Sequence, residues 1–325
     1  MFTLFSINCY ISITTGLPIK TEGLAFFYKW VLPFIILLLL DNFYKSEYKL
    51  ELLYKHLIIF ASVLSIWTIL YTPLLLSGYI QGNFRPSYPF SDDFNVSDAH
   101  VLSSCLGILF ISIYFLKESS FKAVVLILIL VALLMSGSRT GVLLVIIMFS
   151  ANIFRSLFLV LRSMKASQKS VFYIFGLFAI TIISLQFNLI DIDISSFSGA
   201  INRATDINVS DGSADGRIRK LKIALSEFGD YTLLGKGVLT ATLTWYDGLF
   251  SIIIVHGGIC FLAIVIAYIY MVFSQHRKNW GFLVTFCCFI ISNLITEHLL
   301  ITRYIIPVMI CLWLLSKMES KVCEP

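Results

Sequence analysis

Residues 122–154 read KAVVLILILVALLMSGSRTGVLLVIIMFSANIF, and this stretch decides the architecture. Two apolar runs flank Ser136-Gly137-Ser138-Arg139, without the polar–apolar alternation of a barrel strand. A backbone crossing hydrocarbon must satisfy its own hydrogen bonds, so such runs read as membrane helices. The small residues between them permit a tight corner that presents one guanidinium at the interface. The same texture recurs outward along the chain. Mean hydropathy is +0.89. Hydrophobic residues make up 58% and charged residues 13%, against about 25% charged in soluble domains. The composition excludes a soluble enzyme and predicts an all-α, polytopic membrane helix bundle.

Apolar runs suggest about ten transmembrane helices, over roughly 1–18, 24–40, 57–80, 99–116, 122–137, 139–154, 171–190, 247–273, 280–298 and 302–316. The first, fifth and sixth are short for a full crossing. A single transmembrane domain, 1–325, is expected, with one large loop over 191–246. The opening residues lack a basic n-region, so no cleavable signal peptide is expected. The cysteines avoid the long polar loops, which argues against a disulfide framework or zinc site.

Charge gives the orientation. Lys45, Lys49, Lys55, Lys117, Lys122, Arg155, Arg162, Lys165, Lys169, Arg277, Lys278, Lys317 and Lys321 lie in short connections or tails of one side, read as cytoplasmic. The other side holds Lys20, Arg85, Arg139, Arg303 and the loop cations Arg203, Arg217, Arg219, Lys220, Lys222 and Lys236. Long loops escape the positive-inside rule, but cations on the disfavoured side need a reason. An anionic substrate presented there supplies one.

Within the loop, residues 214–230 (ADGRIRKLKIALSEFGD) read as an amphipathic helix. Asp215 is the N-cap, Ile218, Leu221, Leu225 and Phe228 form the apolar face, and Gly229 is the stop. Such a helix should lie flat at the headgroups, and its basic face serves either a substrate or anionic lipid. Leu233-Leu234-Gly235-Lys236-Gly237 follows, where the glycines let backbone approach a phosphate. It lacks the spacing of a nucleotide-binding loop. Trp245-Tyr246-Asp247 then enters a span containing His256-Gly257-Gly258-Ile259. His256 reads as a packing residue, and His100 has no motif around it. Glu297 and Arg303 flank the last outer corner, as interface groups or as part of a sugar site. Asp191-Ile-Asp193 is too short a pattern to argue for a divalent cation, and no metal or cofactor is expected.

Ser138-Arg139-Thr140-Gly141, Arg217, Leu234-Gly235-Lys236-Gly237, Asp247 and Gly257-Gly258-Ile259 together resemble the O-antigen polymerase and O-antigen ligase family of bacterial inner-membrane glycosyltransferases. The resemblance covers residues 120–275 in short, degenerate motifs. It implies a GT-C-like bundle in the inner membrane with its active site and large loop facing the periplasm. The substrate it implies is an undecaprenyl-diphosphate-linked oligosaccharide. Membrane lipid and a polysaccharide chain-length regulator are the other implied partners, with no nucleic acid. In that scheme Arg139, Arg217 and Arg219 stabilise the departing diphosphate. Asp247 accepts the proton of the attacking hydroxyl, or instead caps a helix or pairs with an arginine. Arg203, Arg219, Lys220, Gly235, Lys236, Gly237, Glu297 and Arg303 bind diphosphate and sugar. Ligases usually carry histidine where this chain has Asp247, which favours the polymerase. Family members often carry more spans than this chain. A ligase transferring glycan to lipid A–core, and a flippase or transporter of the same lipid, remain the alternatives.

Overall fold

The computed structural model describes residues 10, 13–14, 21–44, 46–76, 96–116, 121–163, 222–226, 229, 232–237, 249–295 and 302–317. Its main elements are all helices: α1 Thr21–Phe43, α2 Glu47–Leu76, α3 Val96–Phe115, α4 Lys122–Met135, α5 Arg139–Ser163, α6 Leu249–Gln275, α7 Trp280–Ile295 and α8 Thr302–Lys317. Each overlaps an apolar run read from the sequence, though α2 begins ten residues before the run at 57–80 and α5 continues nine residues past the run at 139–154. The expected span at 171–190, and nearly all of 1–18, lie outside the described residues. Among the described residues, three helical stretches are long and apolar enough to cross a membrane: Glu47–Leu74, Arg139–Val160 and Ser251–Gln275. Val31–Phe43, Ala99–Phe115, Lys122–Met135 and Trp280–Asn293 are apolar but shorter. Helix α4 has 14 residues, or about 21 Å at 1.5 Å per residue. The corner at Ser136 ends it.

Helix α3 forms the centre, buried continuously from Val101 to Ile113 and packed by α4, α5, α7 and α8. Its sequence explains how so many neighbours fit. Ser103 and Gly107 make a small-xxx-small pair, which lets helix backbones approach closely in a membrane. A Cβ on Gly107 would lie 3.0 Å from the Gly141 carbonyl oxygen, and one on Gly141 would lie 2.1 Å from that of Ser103. Helices α3 and α5 therefore touch main chain to main chain. Several buried hydroxyls are satisfied by the carbonyl one turn back on their own helix. Ser112 donates to the Ile108 carbonyl at 2.7 Å and Thr68 to that of Leu64 at 2.8 Å.

The helix ends sort into two groups. At the basic end, Asp41 accepts from Trp313 Nε1 at 2.8 Å and pairs with Lys317 at 2.9 Å. Asn279 Nδ2 donates to the Leu315 carbonyl there at 2.7 Å. Lys122 is buried, its Nζ donating to the Leu116 carbonyl at 2.9 Å, so it ties off the end of α3. At the other end, the corner end, Thr72 reaches the Met135 carbonyl at 3.5 Å and Ser292 meets Tyr304 at 2.6 Å. The grouping matches the alternation of connections inferred from charge.

Candidate functional site

Two features at the corner end and in α6 carry the residues that the sequence singled out. The first is the α4–α5 corner. Ser136 closes α4, with its N–H donating to the Ala132 carbonyl at 2.8 Å and its hydroxyl to that of Leu133 at 2.7 Å. Helix α3 then bolts the corner down. Ser103 Oγ donates to the Ser138 carbonyl at 3.2 Å and accepts the Gly141 N–H at 3.1 Å. A side chain from a neighbouring helix thus satisfies one of the orphan donors of the first turn of α5. His100 Nδ1 lies 2.9 Å from Ser138 Oγ. Ser136, Ser138 and Thr140 are buried, whereas Arg139 between them is exposed.

Arg139 opens α5, where the helix macrodipole leaves partial positive charge. A cation there is unfavourable by about 0.3–1 kcal/mol in water. An anion at the same point gains from the guanidinium, the dipole and the peptide N–H groups together. The corner therefore has the chemistry of an anion-binding element on a rigid mount.

The second feature joins two motifs that lie apart in sequence. Helix α6 is broken at Gly258, whose φ of 64° and ψ of −169° are closed to residues with a side chain. The segment Thr232–Gly237 docks into the break. N–H groups of Lys236 and Gly237 donate to the Val255 and His256 carbonyls at 2.9 and 3.0 Å. In return, Ile259 and Cys260 N–H donate to the Thr232 and Leu233 carbonyls at 3.0 and 3.2 Å. The turn thus caps the C-terminal end of the first half-helix and the N-terminal end of the second. His256 Nδ1 approaches the Gly237 carbonyl at 3.3 Å and adds a side-chain tie. Gly235, at φ +69°, sits so close that a Cβ would fall 2.4 Å from the carbonyl carbon of His256. Backbone contact of this kind admits no side chain. Gly235 and Gly237 are buried, and Lys236 between them is partly exposed.

The turn and its broken helix form one wall, with α6 packed on α7; the Arg139 corner belongs to another, held by α3 and α2. Arg303, near the start of α8, is exposed at the corner end. Arg203, Arg217, Arg219, Lys220, Asp247 and Glu297 lie outside the described residues. The loop helix is described at Lys222–Ser226 and at Gly229, which is itself helical. Ala224 is buried at 1% exposure, while Leu225, assigned to the apolar face, is 50% exposed with Ile223 beside it at 39%. A small residue sets that contact, and the large ones face away from the protein.

Two histidines gained roles that the sequence reading did not give them. His256, a packing residue by its place in an apolar run, ties the Lys236 turn through its ring and its carbonyl. His100 lies one helical turn before Ser103, and both engage Ser138; that spacing on a span end was the available signal. A hollow of about 580 Å³ lined by Ser274, His276, Arg277, Lys278 and Ser316 opens at the basic end, remote from both features. Burial against Phe282, whose ring lies 4.0 Å away, lowers the His276 pKa below its ordinary 6.5.

No family model matches this chain, and no curated protein does. The resemblance to the O-antigen polymerase and ligase family rests on the short motifs. Two of these, Leu234-Gly235-Lys236-Gly237 and Gly257-Gly258-Ile259, are partners in space.

Proposed function

We propose that the chain is an O-antigen polymerase: a GT-C-like bundle of about ten spans in a bacterial inner membrane, with residues 191–246 on the periplasmic face. A growing glycan leaves undecaprenyl diphosphate and joins the nonreducing-end hydroxyl of an incoming lipid-linked repeat unit. The C1–O bond to the diphosphate breaks and a glycosidic bond forms. The hydroxyl proton passes to Asp247, and undecaprenyl diphosphate is released. Arg139 and Arg217 neutralise charge that builds on the departing diphosphate, and Lys236 with Arg219 and Lys220 anchors it. Electrostatic groups of this kind contribute roughly 10²–10³ each in rate.

The observation that carries this reading is the docking of Thr232–Gly237 into the break of α6. A lysine flanked by two buried glycines is held there by four main-chain hydrogen bonds. Docking makes a floppy Gly-Lys-Gly segment a preorganised cationic element, which is what charge stabilisation needs.

The break itself favours a second reading, a transporter, because discontinuous helices line many transport sites. Transporters leave the carbonyls and N–H groups of the break for substrate and ions. Here Val255, His256, Ile259 and Cys260 spend theirs on the turn. That favours a fixed mount over a transport site. The gel profile of lipopolysaccharide from a deletion strain separates the possibilities. A single repeat unit on the core indicates a lost polymerase; bare core indicates a lost ligase or flippase and overturns the proposal.

A further inference from the structure

At the basic end, α5 and α7 hold a second cationic element, distinct from the proposed polymerase site. Trp280, the first residue of α7, donates its Nε1 to Asn152 Oδ1 at 2.7 Å. Because an indole N–H can only donate, this bond fixes the amide orientation and turns Asn152 Nδ2 away from the ring. One helical turn on, the Arg155 guanidinium stacks over the same indole, its carbon 5.0 Å from the ring centre. Trp280 is therefore held by Asn152 and in turn holds Arg155.

Two donors are left over. Among the described residues, Asn152 Nδ2 and Arg155 Nη1 are buried from solvent and have no hydrogen-bond partner. Buried donors are nearly always satisfied in proteins, so such a pair points to a missing acceptor. Spaced three apart on one helix, the two side chains share a face. One is a cation, so the fitting acceptor is an anionic oxygen. Position narrows it further. Arg155 lies sixteen residues beyond Arg139, or about 24 Å along α5, against a hydrocarbon core of about 30 Å. Phe154 and Phe158 beside it are 71% and 65% exposed, as lipid-facing side chains are. The donors thus lie roughly 6 Å inside the far edge of that core, within reach of a headgroup phosphate drawn down to them.

We propose that Arg155, Asn152 and Trp280 form a binding site for a phosphate oxygen, contributed by an anionic phospholipid headgroup or by free phosphate. Arg155 Nη1 and Asn152 Nδ2 donate to it, and the indole keeps the guanidinium planar to the approach.

The test uses the full chain, purified in neutral detergent and stripped of endogenous lipid. Native mass spectrometry counts retained phosphatidylglycerol, or inorganic phosphate in a separate arm. Asn152→Asp preserves the acceptor for Trp280 but replaces the amide donor with a like charge. Arg155→Lys keeps the charge and loses the planar fork. Either change should weaken retention roughly tenfold or more, while Arg277→Gln leaves it unchanged. Circular dichroism checks that each variant keeps its helix content. Saturable phosphatidylglycerol binding with this variant pattern identifies a lipid site, and the same pattern with inorganic phosphate alone identifies a free-anion site. Equal retention by wild type and Asn152→Asp, or no saturable binding of either probe, overturns the proposal.

Discussion

Replacing Gly235 by alanine should undock the Lys236 turn while leaving the rest of the bundle in place. The new methyl would lie 2.4 Å from the His256 carbonyl carbon and 2.5 Å from its oxygen. Neither atom can retreat, since both belong to the end of a helix. Holding alanine at φ +69° costs a further ~1–2 kcal/mol. Relief requires the turn to move off α6, which breaks the bonds from Lys236 and Gly237 to Val255 and His256. Each buried group left unpaired costs roughly 1–3 kcal/mol. The low end of these figures is about 3 kcal/mol, or a hundredfold or more in the local opening equilibrium. Hydrogen–deuterium exchange in detergent reads this directly. Amides of Lys236, Gly237, Ile259 and Cys260 should be protected in the wild type and exchange rapidly in Gly235→Ala, with α3 amides unaffected. Gly229→Ala is the matched control, because a Cβ there meets nothing within 4 Å. Identical exchange in Gly235→Ala and wild type would falsify the reciprocal-cap account.

Other substitutions probe the remaining joints. Gly141→Ala should lower thermal stability sharply and reduce the yield of folded protein, because its methyl would sit 2.1 Å from the Ser103 carbonyl oxygen where α3 and α5 touch. His100→Ala removes one bond to the corner and should cost about 1 kcal/mol. Measured by denaturation in detergent, that loss should nearly vanish when Ser138 is already alanine. The lowered His276 pKa predicts a stability slope with a definite sign. The unfolded chain binds the proton more readily, so stability is full above about pH 6.5 and is lost as pH falls through the depressed folded value. His276→Gln should flatten that part of the melting-temperature profile, and an unchanged profile would count against the stacking on Phe282.

The helices were legible because hydrocarbon allows only self-satisfied backbone, so apolar runs such as 57–80 and 247–273 had one structural option. Their ends were less so. Lys122 was read as a loop cation and is buried, because its long stem carries the ammonium to the Leu116 carbonyl. The Ser-Gly-Ser-Arg corner was legible from its small residues. What fastens it was not, since Ser103 and His100 lie on another helix. The break in α6 was hidden for a related reason. Gly257-Gly258 inside an apolar run reads as ordinary membrane-helix packing, since glycine is frequent there. Only the partner segment makes a break stable, and that pairing is tertiary. Helical periodicity marks Leu225 as part of an apolar stripe without saying whether lipid or protein covers it. In the fold Ala224 makes the contact.

The most direct measurement supplies the purified protein with undecaprenyl-diphosphate-linked repeat units alone and separates the products by size. Wild type should yield a ladder of oligomers, and Arg139→Ala should slow their formation by roughly 10²–10³ with the bundle intact. Wild-type protein that leaves the repeat units unjoined, or an Arg139→Ala variant as fast as wild type, contradicts the account.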